Sequence, residues 1–298
     1  MKLEDVVISA QLACLLEVAC PKPGNVSRFK DFEDTRLEHF LASGAAIGEA
    51  IRESYIRGRK VSKGELEISK IGIGKMIKNA IIDTKKWHLG GNTNLGIVML
   101  LIPLSSACGM VETFSISRIR KNVDKIVKET TPLDAVHFYD AIRIAKPFLP
   151  RISKLDVFDD SSKTEILDRE ITFYDIMKLS SQDSVARELV TRMEVSCELG
   201  YPTIIRVYKK EKDINKAILN AFLEILSKIP DSLIAKKFGI DAAQEVLERA
   251  KEIIRNGMRT EEIERFDEYL RRRRWNPGTT ADLVTSSLML ALLYGVRP

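Results

Sequence analysis

The sequence has few cysteines, and none of them form a close pair. It contains 298 residues, only four of them cysteine, with no CxxC spacing. The three histidines lie far from the cysteines in sequence. A zinc site or a disulfide framework is therefore not expected. Reduced cysteines are typical of the cytosol, so we expect a cytoplasmic protein.

The sequence also lacks a clear membrane span or secretion signal. Glu4 and Asp5 stand where a signal peptide would carry positive charge, and Glu17 interrupts the apolar run that follows. The most apolar stretch, Leu95 to Val111, has no charge but includes Pro103. At this length it is borderline for a span. We expect it to form a helix buried in the protein core, without membrane association.

No extreme charge or composition marks the chain. Its charged fraction is 30%, its hydrophobic fraction 45% and its net charge +5. A mildly basic balance suits an anionic ligand but is too weak to predict nucleic-acid binding. The basic run Arg271 to Arg274 is the best support for the rival hypothesis, a non-enzymatic helical protein that binds nucleic acid.

Helical periodicity runs through almost the whole chain, and no repeat or linker divides it. The sequence predicts one all-α domain over residues 1–298, with about ten to twelve helices and buried central helices. One helix is predicted over 36–57 with Gly58 as its stop, and a polar loop over 150–170. The β-branched stretch 202–209 is left as irregular or helical.

Two segments are suited to anionic ligands. In "PKPGNVSR", Pro21 and Pro23 stiffen the backbone around Lys22, and Arg28 follows; such fixed cations suit phosphate oxygens, although an ordinary turn has the same pattern. In "GGNTNLG", residues 90–96, good N-cap residues precede an apolar helix. The free N–H groups of its first turn would bind an anion, or the segment is simply a capped helix start.

Two carboxylates stand at unusual places. Glu17 lies on a helix that is apolar on every face, where a charge is costly unless it is paired or bound to metal. The alternative is a helix-end glutamate that reaches solvent. Asp282 follows the turn Asn276-Pro277-Gly278 at the start of another apolar helix. It is either the acid of a capping box with Thr279 or a metal ligand or active-site acid.

Together these elements resemble the triphosphoribosyl-dephospho-CoA synthase family. "EVACPKPGNVSR" resembles its N-terminal element at Glu17, Lys22, Pro23, Gly24 and Arg28. "EDTRLEHFLAS" is similar to the next element at Asp34, Phe40 and Ser43, and "GGNTNLGIVML" to the third at Asn92, Thr93 and Gly96. "NPGTTADLV" resembles the C-terminal element at Asn276, Pro277, Gly278, Ala281 and Asp282. The family's histidine and lysine in the third element are Asn94 and Leu95 here.

The resemblance implies a transferase that moves the 5-triphosphoribosyl group of ATP to the ribose 2′-hydroxyl of 3′-dephospho-CoA and releases adenine. It implies Mg²⁺ as cofactor. The candidate catalytic and metal-binding residues are Glu17, Asp34 and Asp282. The candidate nucleotide-binding residues are Lys22, Gly24, Arg28, Asn92, Thr93, Asn94, Asn276 and Gly278. A second hypothesis, favoured by Asn94 and Leu95, is a related ribosyl transferase or nucleotide N-glycosidase with another acceptor. The expected partners are the small molecules ATP and dephospho-CoA. A homodimer is compatible with this prediction, and no nucleic-acid partner is expected.

Overall fold

The described part of the chain is helical. A computed structural model describes residues 1–32, 35–148, 155–159 and 161–298, and these contain no strand apart from an isolated bridge between Ser27 and Lys30. The helices are α1 Leu3–Ala19, α2 Leu37–Ala46, α3 Gly48–Ser62, α4 Ile73–Trp87, α5 Leu95–Gly109, α6 Ile116–Lys128, α7 Pro132–Ala145, α8 Ser161–Asp168, α9 Phe173–Leu179, α10 Ser184–Val190, α11 Tyr201–Glu211, α12 Ile214–Leu226, α13 Ser232–Phe238, α14 Ile240–Arg255, α15 Thr260–Arg272 and α16 Gly278–Tyr294. A 3₁₀ turn covers Ile68–Lys70 and a π-helical turn Val195–Gly200.

The central helices are α5 and α16. Every residue of α5 except Gly96 is buried, and most of α16 is buried too. α16 packs against α1 and α5, and α5 also packs against α3 and α6. A helix that is apolar on every face has to lie inside other helices, so the predicted all-α fold with buried central helices is confirmed. No helix in the described ranges is long and apolar enough to cross a bilayer.

The number of helices in the described ranges is larger than predicted, because one predicted helix divides and short helices such as α8, α9 and α13 form where none was predicted. The predicted helix 36–57 is two helices, α2 and α3, and α3 continues past Gly58 to Ser62. Gly58 is needed for packing: a Cβ there would lie 1.9 Å from the carbonyl oxygen of Ser106 in α5. This glycine therefore permits close contact between two helices and does not end one.

Helices also form in two segments that were not predicted firmly as helical, 150–170 and 202–209. The predicted loop 150–170 contains α8, while residues 149–154 and 160 lie outside the described residues. The β-branched stretch 202–209 is helical, in α11. Pro202 lies in the first turn of that helix, where its fixed φ is favourable, and Ile204 is fully buried. Tertiary packing decides its structure against its strand propensity.

Candidate functional site

A large cleft opens at one end of the central helices. Its cavity volume is about 1710 Å³, and it is lined by the C-terminal end of α1, the N-terminal ends of α5 and α16, and parts of α7, α9, α10 and α13. Pockets that hold one small ligand usually measure about 300–1,000 Å³. This cleft therefore has room for two nucleotide-sized substrates.

Asp282 lies in the first turns of α16 and lines this cleft. Its carboxylate accepts no hydrogen bond from any described residue. Burial, and then the negative charge of Glu17, raise the pKa of Asp282 well above its ordinary value. The capping-box interpretation is wrong, because Thr279 Oγ1 hydrogen-bonds to Asp231 Oδ1 at 3.2 Å. Asp282 is thus a carboxyl group that faces a cleft and has no structural partner in the part of the chain that the structure describes.

Gly96 in α5 makes the position of Asp282 possible. A Cβ at Gly96 would lie 2.1 Å from Asp282 Oδ2 and 2.7 Å from its Cγ. Real side chains do not approach so closely, so only glycine allows the carboxylate to lie against the N-terminal turn of α5. Gly96 and Asp282 match two different motifs of the family named above, and the close contact between them explains why the first motif requires a glycine.

Glu17 lines the same cleft from the last turn of α1. It is buried, and Lys22 Nζ lies 3.1 Å from its Oε1, although that oxygen accepts no hydrogen bond among the described residues. Burial raises the pKa of Glu17, and the charge of Lys22 opposes that rise. The sequence expectation that this buried charge is paired is met, and the alternative of a solvated helix end is wrong.

Three predicted nucleotide-binding residues do not line the cleft. Lys22 is buried and donates to Cys20 O at 2.9 Å as well as to Glu17 O. Arg28 Nε donates to Ala19 O at 2.7 Å and its Nη2 to Asn215 Oδ1 at 2.9 Å. The C-terminal end of α1 leaves carbonyl groups unpaired, and these cations satisfy them.

Gly24, the third of these residues, turns the chain between those two cations. Its φ is +73°, and its N–H donates to Asp267 Oδ1 at 2.8 Å. A Cβ there would lie 2.9 Å from Trp275 O, so the loop packs directly against the turn that precedes α16. Gly24 therefore joins two matched elements without facing a ligand.

The segment before α5 does line the cleft. Asn92 Oδ1 accepts from the N–H of Leu95 at 3.1 Å, and Asn94 Nδ2 donates to Thr84 Oγ1 at 2.9 Å. The N–H groups of Gly96 and Ile97 have no partner in the described part of the chain. The helix N-terminus therefore presents free donors beside Asp282, as an anion site requires.

Thr93 is held by a buried hydrogen-bond network. Its Oγ1 lies 2.6 Å from Ser43 Oγ, which lies 3.0 Å from His88 Nε2. His88 Nδ1 accepts from the N–H of Gly90 at 3.0 Å, so the ring carries its proton on Nε2. Burial lowers the pKa of His88 and keeps the ring neutral. The network fixes the segment that leads into α5.

Asn276 and Gly278 line the cleft at the start of α16. Asn276 Oδ1 accepts from Asn25 Nδ2 at 2.7 Å, which joins the turn before α16 to the loop after α1. Asp34, the remaining predicted catalytic and metal-binding residue, lies outside the described residues. Its role stays a prediction.

One edge of the cleft, formed by the N-terminal end of α10 and by α13, was not predicted from the sequence. Asp183 caps α10 and forms an ion pair with Lys236, and both line the cleft. The charge of Asp183 raises the pKa of Asp282, and that of Lys236 lowers it, so both act on this carboxyl. The signal in the sequence was the N-cap position of Asp183. Asp231, which caps α13, is structural, because it accepts from the N–H groups of Leu233 and Thr280.

The fit of a divalent metal rests on two carboxylates. No group of three or more potential ligand residues lies close together in the described ranges. Glu17 Oε1 is buried without a hydrogen bond, and Asp282 has no partner among the residues described here. Mg²⁺ is commonly held by one or two carboxylates together with substrate phosphates and water. Glu17 and Asp282 fit that mode of binding.

The basic run before α16 is not a free cationic surface. Arg271 Nε donates to Asp267 at 2.8 Å, Arg272 lies 3.4 Å from Glu268, and Arg273 stacks on Tyr269 with its Cζ 3.8 Å from the ring centre. Intramolecular partners occupy these side chains. The run gives the nucleic-acid hypothesis no support.

Comparisons with known proteins agree with the motifs. Residues 3–297 match the model of a family described as ATP:dephospho-CoA triphosphoribosyl transferase. The structure is similar to the crystal structure of a protein from Archaeoglobus fulgidus that is provisionally assigned as a triphosphoribosyl-dephospho-CoA synthase, with a TM-score of 0.66 and 26% sequence identity. That similarity covers 86% of this chain and 100% of the other. No curated protein matches the sequence at a significant level.

Proposed function

The chain belongs to the ATP:dephospho-CoA triphosphoribosyl transferase family, and from this premise we propose which side chains carry out the transfer. The reaction moves the 5-triphosphoribosyl group of ATP to dephospho-CoA. A ribose 2′-hydroxyl of the acceptor attacks C1′ of the ATP ribose, and adenine leaves. Such a glycosyl transfer passes through an oxocarbenium-like transition state. The protein has to bind the triphosphate, hold both riboses in line, take a proton from the acceptor hydroxyl and allow the departing adenine to gain a proton, so that the reaction releases neutral adenine.

Asp282 is the proposed general base. The observation that carries this assignment is its unpartnered carboxylate, which lies against Gly96 and faces the cleft. A base is most effective when its pKa is near the working pH, and burial moves the pKa of Asp282 in that direction. Glu17 is less suited to this role, because Lys22 stabilises its charged form. A positioned base typically contributes about 10²- to 10⁴-fold in rate.

Glu17 is the proposed principal metal ligand, with Asp282 at the edge of the same site and Asp34 as a further predicted ligand. Mg²⁺ bound there would supply positive charge to the triphosphate oxygens. Lys22 holds the Glu17 carboxylate in place, and its charge opposes the rise in the Glu17 pKa that burial causes. This assigns to Lys22 a positioning role in place of the phosphate contact expected from its sequence.

The triphosphate site is proposed at the N-terminus of α5. The free N–H groups of Gly96 and Ile97 supply donors, and Lys236 supplies a cation that lines the cleft. Asn92, Thr93 and Asn94 support this turn, and Asn276 and Gly278 form the facing wall. Arg28 keeps its place at the end of α1 and contacts no phosphate in this proposal.

Location and assembly remain proposals. All four cysteines are free and buried, which suits a reducing compartment, so we place the protein in the cytoplasm. One connected hydrophobic core extends from α1 to α16, which supports a single domain over residues 1–298. The homodimer stays a prediction.

The function is tested by product analysis. The protein is incubated with ATP, Mg²⁺ and dephospho-CoA, and mass spectrometry is used to detect adenine and the triphosphoribosylated acceptor. We expect both in equal amounts, and loss of both when the metal is chelated. Adenine release that is equally fast without dephospho-CoA would contradict the proposal and favour a nucleotide N-glycosidase.

A further inference from the structure

One wall of the cleft exposes large apolar side chains far from the carboxylates in sequence. We call five of these exposed side chains the apolar rim. Their exposed fractions are 50% for Phe148, 54% for Phe158, 73% for Leu179, 43% for Phe238 and 62% for Ile240. Scattered apolar residues on a surface need no explanation, but these five all line one cleft. Exposed apolar side chains inside a binding cleft point to an apolar part of a ligand.

The rim is held in place by the protein. The segment that carries Phe158 is fastened to α7 by side-chain hydrogen bonds to its backbone: Tyr139 Oη donates to Leu155 O at 2.9 Å, and Arg143 donates to Val157 O at 2.6 Å and to Asp159 O at 2.9 Å. These bonds fix an exposed phenyl ring at the cleft.

Two cations lie beside the rim. Lys237 Nζ lies 5.7 Å from the centre of the Phe148 ring, and Lys146 is exposed at the end of α7. Neither lysine has a carboxylate partner among the residues that the structure describes. Unpaired cations next to exposed phenyl rings suit a ligand in which phosphates join an apolar chain.

We propose that the apolar rim, with Lys146 and Lys237, binds the diphosphate and pantetheine arm of dephospho-CoA. This inference rests on the proposed function, which requires two substrates in one cleft. Both substrates carry adenine, ribose and phosphates, but only the acceptor carries a long arm with a dimethyl group, methylene groups and a thiol. The apolar rim can contact this arm, which ATP lacks, and it therefore discriminates between the acceptor and the donor.

The test is a comparison of Michaelis constants for the two substrates. In Phe148→Ala and Phe158→Ala, loss of apolar contact should raise the KM for dephospho-CoA by about tenfold each and leave the KM for ATP unchanged. Lys237→Gln should raise the KM for dephospho-CoA and make it less sensitive to salt. The matched control is Phe29→Ala, which removes a phenyl ring that is 74% exposed and outside the cleft. It should change neither constant.

Each outcome has a separate meaning. If wild-type protein forms the triphosphoribosylated product but the rim variants keep the wild-type KM for dephospho-CoA, this inference is overturned and the proposed function stands. An equal rise in both Michaelis constants would also overturn it, because the rim would then not distinguish the arm. If wild-type protein forms no product, the proposed function fails first. Unfolding in urea shows that each variant is folded.

Discussion

Replacing Gly96 with alanine tests the contact that positions Asp282. The new Cβ would lie 2.1 Å from Asp282 Oδ2, and ordinary contact begins at about 3.4 Å, so the carboxylate has to retreat by about 1.3 Å. Because both close atoms belong to the end of one side chain, Asp282 can rotate away without disturbing α5. A displacement of about 1 Å in an active site can cost about 10²-fold in rate. We expect kcat to fall by about that factor.

The stability of this variant should change little. Alanine is favoured over glycine in a helix by about 1 kcal/mol, which offsets part of the strain of moving Asp282. Urea unfolding measures the free energy of unfolding, and steady-state adenine release measures kcat. Gly91→Ala is the matched control for stability, since a Cβ there meets nothing within 4 Å. Because Gly91 also lines the cleft, only its free energy of unfolding is compared, and it should not fall.

A double-mutant cycle shows whether the effect passes through Asp282. In the Asp282→Asn background, Gly96→Ala should cause little further loss, because residues that act through one group are not additive. Wild-type kcat in Gly96→Ala would refute the reasoning. So would an undiminished loss when Asp282 is already replaced.

Three further predictions concern the charges around the two carboxylates. Lys22→Met should lower the free energy of unfolding, measured in urea, by about 3 kcal/mol, because it leaves Glu17 buried without its cation. The Glu17→Gln/Lys22→Met double variant should recover part of that loss. Lys236→Gln should move the acid limb of kcat/KM to higher pH, since the lysine charge lowers the pKa of Asp282; an unmoved limb would contradict the assignment of the base. Asp282→Asn should raise the free energy of unfolding at neutral pH. Folding raises the pKa of Asp282, so the folded state binds more protons and wild-type stability falls as the pH rises from the ordinary aspartate pKa toward the raised one. Asparagine does not titrate, so the variant should not show this fall.

The sequence predicted the central helices well for a simple physical reason. α5 and α16 are apolar on every face, so they can only be buried, and the polar residues at their N-terminal ends then lie together at one end of the core. Glu17 and Asp282 meet in one cleft because α1 packs against α16. Position relative to a buried helix marked both carboxylates as unusual but left a structural alternative open for each, and the family resemblance was needed to choose them as candidates.

The cations were harder to place. Lys22 and Arg28 follow α1 directly, and the unpaired carbonyl groups of that helix end attract them before any ligand can. Lys236 lies on α13, a short helix whose charges are indistinguishable from solvated ones in sequence. Only the packing of α13 beside α10, with its ion pair to Asp183, shows that Lys236 faces the cleft. Local stiffness of the backbone did not predict which cations line the cleft.

The most direct measurement of the central claim is turnover by Asp282→Asn with saturating ATP, Mg²⁺ and dephospho-CoA. The substitution keeps the shape of the side chain and removes its ability to accept a proton. We predict that calorimetry still detects binding of both substrates, while formation of the triphosphoribosylated product falls by about 10²-fold or more. Product formation at the wild-type rate would show that Asp282 is not the base and that the cleft works in another way.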